Sequence, residues 1–372
     1  MARPSEGRKV AGQDDRKDGP RPASRTAPWP PAQVEVKPDP VDDTRQYAAS
    51  VVSPLRYPGA KRQLVPLIER IIAGNVPPPR LFVEPFCGGA TTALRLAGTG
   101  VVEHVVLADG DPLVAAFWYT AAFDTTWLID AMREVPVTVE RWKWWRNCNS
   151  TSVRDLALKC LFLNRTTFSG ILHGWAGPIG GLNQNAETKY KIDCRFNKDA
   201  LAQRISAVGQ LADTGHILEV WSHDWGTSLD LVGSRYRGLV GPEEAVVYLD
   251  PPYVEKAPYL YQWSFQDDQH RALAQVLSGD TPFRWLLSYD DNALARALYP
   301  PAERHHVLHA MHRYTAAGLK ADEKKGKRQR TVRAELLVTN FPDIPESDDY
   351  HVVGDTTCVS CQKADSADAD RS

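Results

Sequence analysis

Five features are missing from this chain, and each absence narrows what it can be. No stretch of the 372 residues comes near the roughly 18–20 apolar residues that a bilayer-spanning helix needs, so a helical membrane protein is excluded. The opening residues, MARPSEGRKV, contain no apolar segment of the secretory kind, and the expected location is the cytoplasm. There is no excess of positive charge: 44 Lys and Arg stand against 46 Asp and Glu, a net charge of −2. Any affinity for nucleic acid must therefore come from local basic patches and not from the field of the whole molecule. The six cysteines, Cys87, Cys148, Cys160, Cys194, Cys358 and Cys361, show no spacing of a disulfide framework. No internal repeat is visible either.

What remains is ordinary globular material, 43% hydrophobic and 24% charged. The length suits one large α/β domain with an inserted module, or two domains. Residues 1–48 and the tail from about Pro342 (342–372) are polar and poor in aliphatics, and are expected to be disordered. Between them, LFVE (81–84), HVVLA (104–108), HILEV (216–220), AVVYL (245–249), WLLSY (285–289) and ELLVT (335–339) read as buried strands. Helical patterns separate them, and the first five runs lead into Gly, Pro or Asp turns, which predicts a mostly parallel α/β sheet. The Trp-, Asn- and Arg-rich stretch 123–211 breaks this rhythm and reads as a helical insertion between 49–122 and 212–341.

Two places carry chemistry. Phe82 to Gly89 (FVEPFCGG) follows a strand and precedes the helical run TTALRLA. A glycine turn there lets a backbone approach a ligand, and the first helical amides favour a negative group such as a cofactor carboxylate. Asp109 ends the next strand, 21 residues after Gly88, where an acid can accept hydrogen bonds from both ribose hydroxyls. Asp109 and Asp111 compete for the alternative task of capping the following helix. These features point to a nucleoside-bearing cofactor without separating NAD from S-adenosylmethionine.

The second place is Asp250-Pro251-Pro252-Tyr253, directly after AVVYL. A fixed tetrapeptide turns up in a chain of this length about once in 400 by chance, at average residue usage. The exocyclic amine of adenine is a poor nucleophile because its lone pair is delocalised into the ring. A carboxylate and a backbone carbonyl that both accept from it draw the nitrogen toward tetrahedral geometry. Two prolines stiffen the loop and leave that carbonyl free. The tyrosine offers a face to a base taken out of the duplex. Positioning and electrostatics then carry an in-line methyl transfer, with Phe86, Tyr57 or Tyr253 as aromatic faces for a sulfonium.

On these motifs the sequence resembles the Dam-like DNA adenine-N6 methyltransferases over about residues 53–341. The resemblance includes PLRYPGAK (54–61), NRTTFSG (164–170), then GPIGG and CRFNK, and a closing ELLVTN (335–340). It implies a Rossmann-like S-adenosyl-L-methionine-dependent fold whose insertion is a target-recognition domain. It also implies methylation of adenine N6 in double-stranded DNA by base flipping. By resemblance, Tyr57 and Lys61 are cofactor contacts, with Glu84, Phe86 and Gly88 of the loop, Asp109 at the ribose and Asp224 at the adenine edge. Asp250 is then the catalytic carboxylate, also beside the cofactor. Asn164 and Arg165 are candidate DNA contacts within the insertion, and Arg165 reads equally as a buried structural arginine there. Three positions depart from the family pattern: Ala60 and Ala90 stand where Gly is common, and Ser169 where Asn is usual.

The stretch 320–333 (KADEKKGKRQRTVR) holds seven basic residues against two acids. It reads as a loop that is either a solvated surface or a place where Lys324, Lys325, Lys327, Arg328 and Arg330 meet phosphates. Trp142, Trp144 and Trp145 read as a helix packed on the core, and His305-His306 as part of an edge strand. The lone Cys358/Cys361 pair lacks two further ligands, so no metal is expected. A cytosine-C5 enzyme would need a cysteine nucleophile, typically after proline, and none is present. An N4-cytosine enzyme and a DNA-binding relative without catalysis are the alternatives. Expected association is monomeric or weakly dimeric and near the nucleoid, with a cognate restriction endonuclease as a further partner.

Overall fold

The apolar runs all become strands, and their burial explains why. The computed structural model describes residues 51–57, 61, 63–236, 238, 240–253, 265–313, 320–321, 328–329, 332–347 and 350–353. In chain order the strands are β1 (Leu81–Glu84), β2 (His104–Ala108), β3 (Ile217–Trp221), β4 (Ala245–Leu249) and β5 (Arg284–Asp290). After these come β6 (His306–Arg313), β7 (Lys320–Ala321), β8 (Arg328–Gln329), β9 (Val332–Thr339) and β10 (Tyr350–Val352). Eight of them form one sheet in the order β10-β6-β9-β5-β4-β1-β2-β3, and β7 pairs with β8 apart from it. The pairs among β1 to β5 are parallel, while β9 and β10 run antiparallel to their neighbours. Every residue of β1 and β4 is buried, as strands covered on both faces require.

Helices fill the connections: α1 (Val65–Ala73), α2 (Thr91–Thr99), α3 (Pro112–Phe123), α4 (Thr125–Glu134), α5 (Val139–Asn147), α6 (Val153–Thr166), α7 (Lys198–Asp213), α8 (Trp225–Arg235), α9 (Asp267–Ser278) and α10 (Ala293–Leu298). Polar side chains start many of them. Asp111, Thr138, Ser152, Asn197 and Asn292 each accept from an amide two or three residues on. The sequence of α3, PLVAAFWYTAAF, is apolar on all sides, and nine of its twelve residues are buried. Such a helix must be covered all round, and α6 and α7 pack on it.

Helices α4 to α7, which span most of 123–211, come between β2 and β3, and α6 and α7 share the buried surface of α3. Three sequence expectations change. β3 begins one residue later than HILEV. His306 opens β6, which is an interior strand and not an edge, since β10 pairs on its outer side. The tail expected to be disordered from Pro342 is described over residues 342–347 and 350–353. Asp343 exchanges hydrogen bonds with Asn75, and Tyr350–Val352 closes the sheet. Among the described residues no helix is long and apolar enough to cross a membrane. Residues 1–48, 354–372, and Cys358 and Cys361 with them, lie outside the described residues.

Candidate active site

The site residues gather where parallel strands end. β1, β2 and β4 deliver Pro85–Gly89, Asp109 and Asp250 to the carboxyl edge of the sheet. β1 lies between β2 and β4, and the chain passes from β1 to β2 on one side and from β4 to β5 on the other; open α/β sheets hold ligands at such a switch point.

The turn after β1 is held from several sides. Gly88 has φ 42°, and its amide donates to Asp109 Oδ2 at 2.9 Å. Trp118 Nε1 of α3 donates to the Gly88 carbonyl at 2.8 Å. A Cβ at Gly88 would stand 2.6 Å from the ring of Tyr57, so only glycine admits that ring. Tyr57 is thereby laid on the turn from the N-terminal segment.

Asp109 is 9% exposed. Its Oδ1 accepts from the Asp111 amide at 2.9 Å, and Asp111 itself caps α3 through Leu113. The competition left open by the sequence is thus resolved: Asp111 is the cap. Burial, reinforced by the Asp111 charge, pushes the Asp109 carboxyl up to about 7, although the two amides oppose the shift. Glu84 points at the start of α2, where its Oε2 accepts from the Ala93 amide at 3.2 Å. It takes part of the helix N-terminus that a cofactor carboxylate was expected to occupy. Burial, with the charges of Asp250 and Asp109, holds its carboxyl well above the usual range.

Around Asp250 the side chains form a connected set. Tyr248 and Ser288 hydroxyls lie 2.9 Å apart, and Ser288 Oγ donates to Asp250 Oδ1 at 3.0 Å. Lys61 Nζ reaches the same oxygen at 3.1 Å and Glu335 Oε2 at 3.7 Å. The same ammonium lies 4.1 Å from the centroid of the Tyr253 ring. Burial raises the Asp250 carboxyl; Lys61 opposes this and the Glu335 charge adds to it. Phe86 meets Phe265 edge-on at 5.6 Å. Pro251 is buried and Pro252 partly exposed.

The remaining candidates are dispersed. Asp224 is exposed and caps α8, both of its oxygens accepting from Thr227. Asn164 and Arg165, expected to face DNA, are buried instead. Asn164 is 0% exposed, accepts from the Arg56 amide at 2.7 Å and donates to the Arg56 and Gly170 carbonyls. Arg165 donates to the Pro54 carbonyl. Buried polar groups need such partners, and these two are satisfied by the backbone of 54–56. Lys324, Lys325, Lys327 and Arg330 lie outside the described residues, and of Arg328 only its backbone in β8 is described. Trp142 and Trp145 are packed as expected, whereas Trp144 is half exposed.

Sequence reasoning missed Ser288, Glu335 and the pair His173–Asp111, whose Nε2 and Oδ2 lie 2.6 Å apart. A serine within WLLSY and an acid opening ELLVT were visible signals, since a polar side chain in a buried strand requires a partner. Missed too were Phe168 and Trp175, which stand out from the loop after α6, 62% and 77% exposed.

The residues fit a nucleoside-bearing methyl donor. The glycine turn is held by the buried Asp109 at the end of β2, and the Tyr253 ring and two carboxylates surround the Lys61 ammonium. A family model described as D12 class N6 adenine-specific DNA methyltransferase matches residues 57–175 and 238–313, more than half of the chain. Among solved structures, an rRNA methyltransferase, aviRa, from Streptomyces viridochromogenes is similar at 16% identity and a TM-score of 0.32. That likeness covers 80% of this chain and 93% of that one. An rRNA methylase from Streptococcus thermophilus is similar at 9% identity and a TM-score of 0.27, covering 73% and 94%. Both likenesses are faint and neither bears on the substrate. No curated protein matches the chain.

Proposed function

Since the chain belongs to the D12 class N6 adenine-specific DNA methyltransferase family, we propose a division of labour among its residues for that reaction. The enzyme transfers a methyl group from a donor of the S-adenosylmethionine type to the exocyclic N6 of adenine in DNA. We assign S-adenosyl-L-methionine itself as the donor. When bound it supplies an electrophilic methyl on a positively charged sulfur.

In this reading Asp109 receives the ribose hydroxyls, Gly88 and Phe86 line the donor's path, and Tyr57 covers the turn. Glu84 acts indirectly, by fixing the start of α2. Asp250 accepts a hydrogen bond from the N6 amine and draws its lone pair out of conjugation. With N6 so held, its lone pair would be presented to the donor's methyl, the methyl–sulfur bonding pair would stay with sulfur, and one N6 proton would leave to the surroundings. Pro251 and Pro252 hold the loop, and Tyr253 stacks on the everted base. The supporting observation is that Ser288 and Lys61 both address Oδ1 of Asp250, fixing the orientation of a carboxylate at the end of β4.

The segment 123–211 is the target-facing part of this reading, and the basic stretch 320–333 meets phosphates. The enzyme acts as a monomer on duplex DNA, and a cognate restriction endonuclease is its natural companion. Purified protein with labelled donor is expected to yield N6-methyladenine on nucleoside digestion of duplex DNA. Asp250→Ala is expected to abolish transfer while DNA binding survives. Turnover in that variant, or N4-methylcytosine as the product, would overturn the reading.

A further inference from the structure

Lys61 is 6% exposed, and a buried ammonium without a carboxylate partner is costly. Its nearer partner, Asp250, is the group whose charge the reaction uses. When the N6 amine donates to Asp250, and again when the methylated nitrogen sheds its proton nearby, the negative charge facing Lys61 weakens. The cage already contains a second carboxylate. Glu335, 5% exposed on β9 opposite Asp290 of β5, holds Oε2 3.7 Å from the same Nζ.

We propose that Glu335 is a positioning residue: it keeps Lys61 charged and in place beside Tyr253, so that Asp250 is free to engage the substrate amine. The inference rests on the reading of Asp250 as the carboxylate that engages N6. Two carboxylates around one ammonium leave a net charge of −1, which the positive sulfur of the donor neutralises. With Glu335 neutral, Lys61 settles on Asp250 alone and weakens it as an acceptor. Among the described residues, the groups that interact with Asp250 are Lys61 from the N-terminal segment, Glu335 on β9, Glu84 on β1, Tyr248 on β4, and Ser288 and Tyr289 on β5. Of the two partners in the cage, Glu335 raises the Asp250 carboxyl and Lys61 lowers it.

The test is steady-state kinetics of full-length Glu335→Gln across pH, alone and in a Lys61→Met background. The expected result is a kcat lower by about tenfold or more, with KM for donor and DNA within about twofold of wild type. The acid limb of kcat is expected to move to lower pH, because the charge that raised Asp250 is gone. In the Lys61→Met background the substitution is expected to add no further loss. An unchanged kcat, an unmoved acid limb, or an equal additional loss without Lys61 would overturn the proposal, since a merely structural glutamate would behave so. Should Glu335→Gln not fold, Glu335→Asp carries the test, with a smaller displacement of the limb in the same direction; no displacement overturns it. Turnover in Asp250→Ala marks failure of the underlying reading. An inactive Asp250→Ala beside a wild-type-like Glu335→Gln marks failure of the Glu335 role alone.

Discussion

Asp109 is an acid whose burial makes its charge conditional. On the proposed role, ribose hydroxyls would donate to its carboxylate, so a bound donor would select the ionised form of a group raised to about 7. Donor affinity measured by calorimetry is expected to rise with pH up to about 7, by as much as about tenfold per unit on the acid side, and then level off. In Asp109→Asn that slope is expected to vanish; a slope that persists assigns it to another group. The same shift governs stability. A raised pKa in the fold contributes stability that is complete below about 4 and lost as pH rises through about 7. Two other residues carry local strain: Ala90 at φ 46° and Ser169 at φ 57° adopt the left-handed region that favours Gly and Asn. Both coincide with departures from the family pattern, Gly being common at the first position and Asn usual at the second. Ser169→Asn is expected to stabilise the protein by about 1 kcal/mol, read as a rise in Tm of a few degrees. No rise would show that the backbone there relaxes without help.

At the scale of elements, the end of α6 does work that its sequence disguised. Asn164 and Arg165 sit on the last turn of a helix packed on α3, and hold the backbone of Pro54 and Arg56. That segment delivers Tyr57 to the glycine turn and Lys61 to Asp250. Asn164→Ala is expected to destabilise by about 2–3 kcal/mol, because it leaves buried amide and carbonyl groups unpaired. It is also expected to weaken donor binding while leaving the methylated sequence unchanged. A changed sequence preference at intact stability would restore Asn164 to the DNA surface. The loop beyond α6 is tied back by Arg146, which donates to the carbonyls of Leu172 and Gly174. His173, between those two, reaches Asp111. The exposed rings of Phe168 and Trp175 are thus carried by a loop anchored to Asp111 at the start of α3.

For the molecule as a whole, a net charge of −2 sets the condition for DNA binding. Phosphate contacts must be local, and the basic stretch 320–333 is the densest cluster. Replacing Lys324, Lys325, Lys327, Arg328 and Arg330 with neutral residues is expected to flatten the salt dependence of DNA binding. The slope should fall by roughly 0.9 for each phosphate contact removed. An unchanged slope would make that stretch a solvated bystander.

The sequence by itself determined the strands and the chemistry at their ends. A buried strand announces itself as a run of Val, Leu and Tyr, and the residues after it, FCGG, Asp109 and Asp250-Pro251-Pro252-Tyr253, need only their place in the chain to be recognised. The tail and β6 were harder, because β10 is three residues long and gains its order only by pairing with a strand some forty positions earlier. Which polar groups face one another was decided by the tertiary structure alone. Lys61, Asp250, Ser288 and Glu335 come from four separate segments. Periodicity reports whether a position is buried, but the partner that makes a buried charge tolerable is supplied by whichever element folds against it.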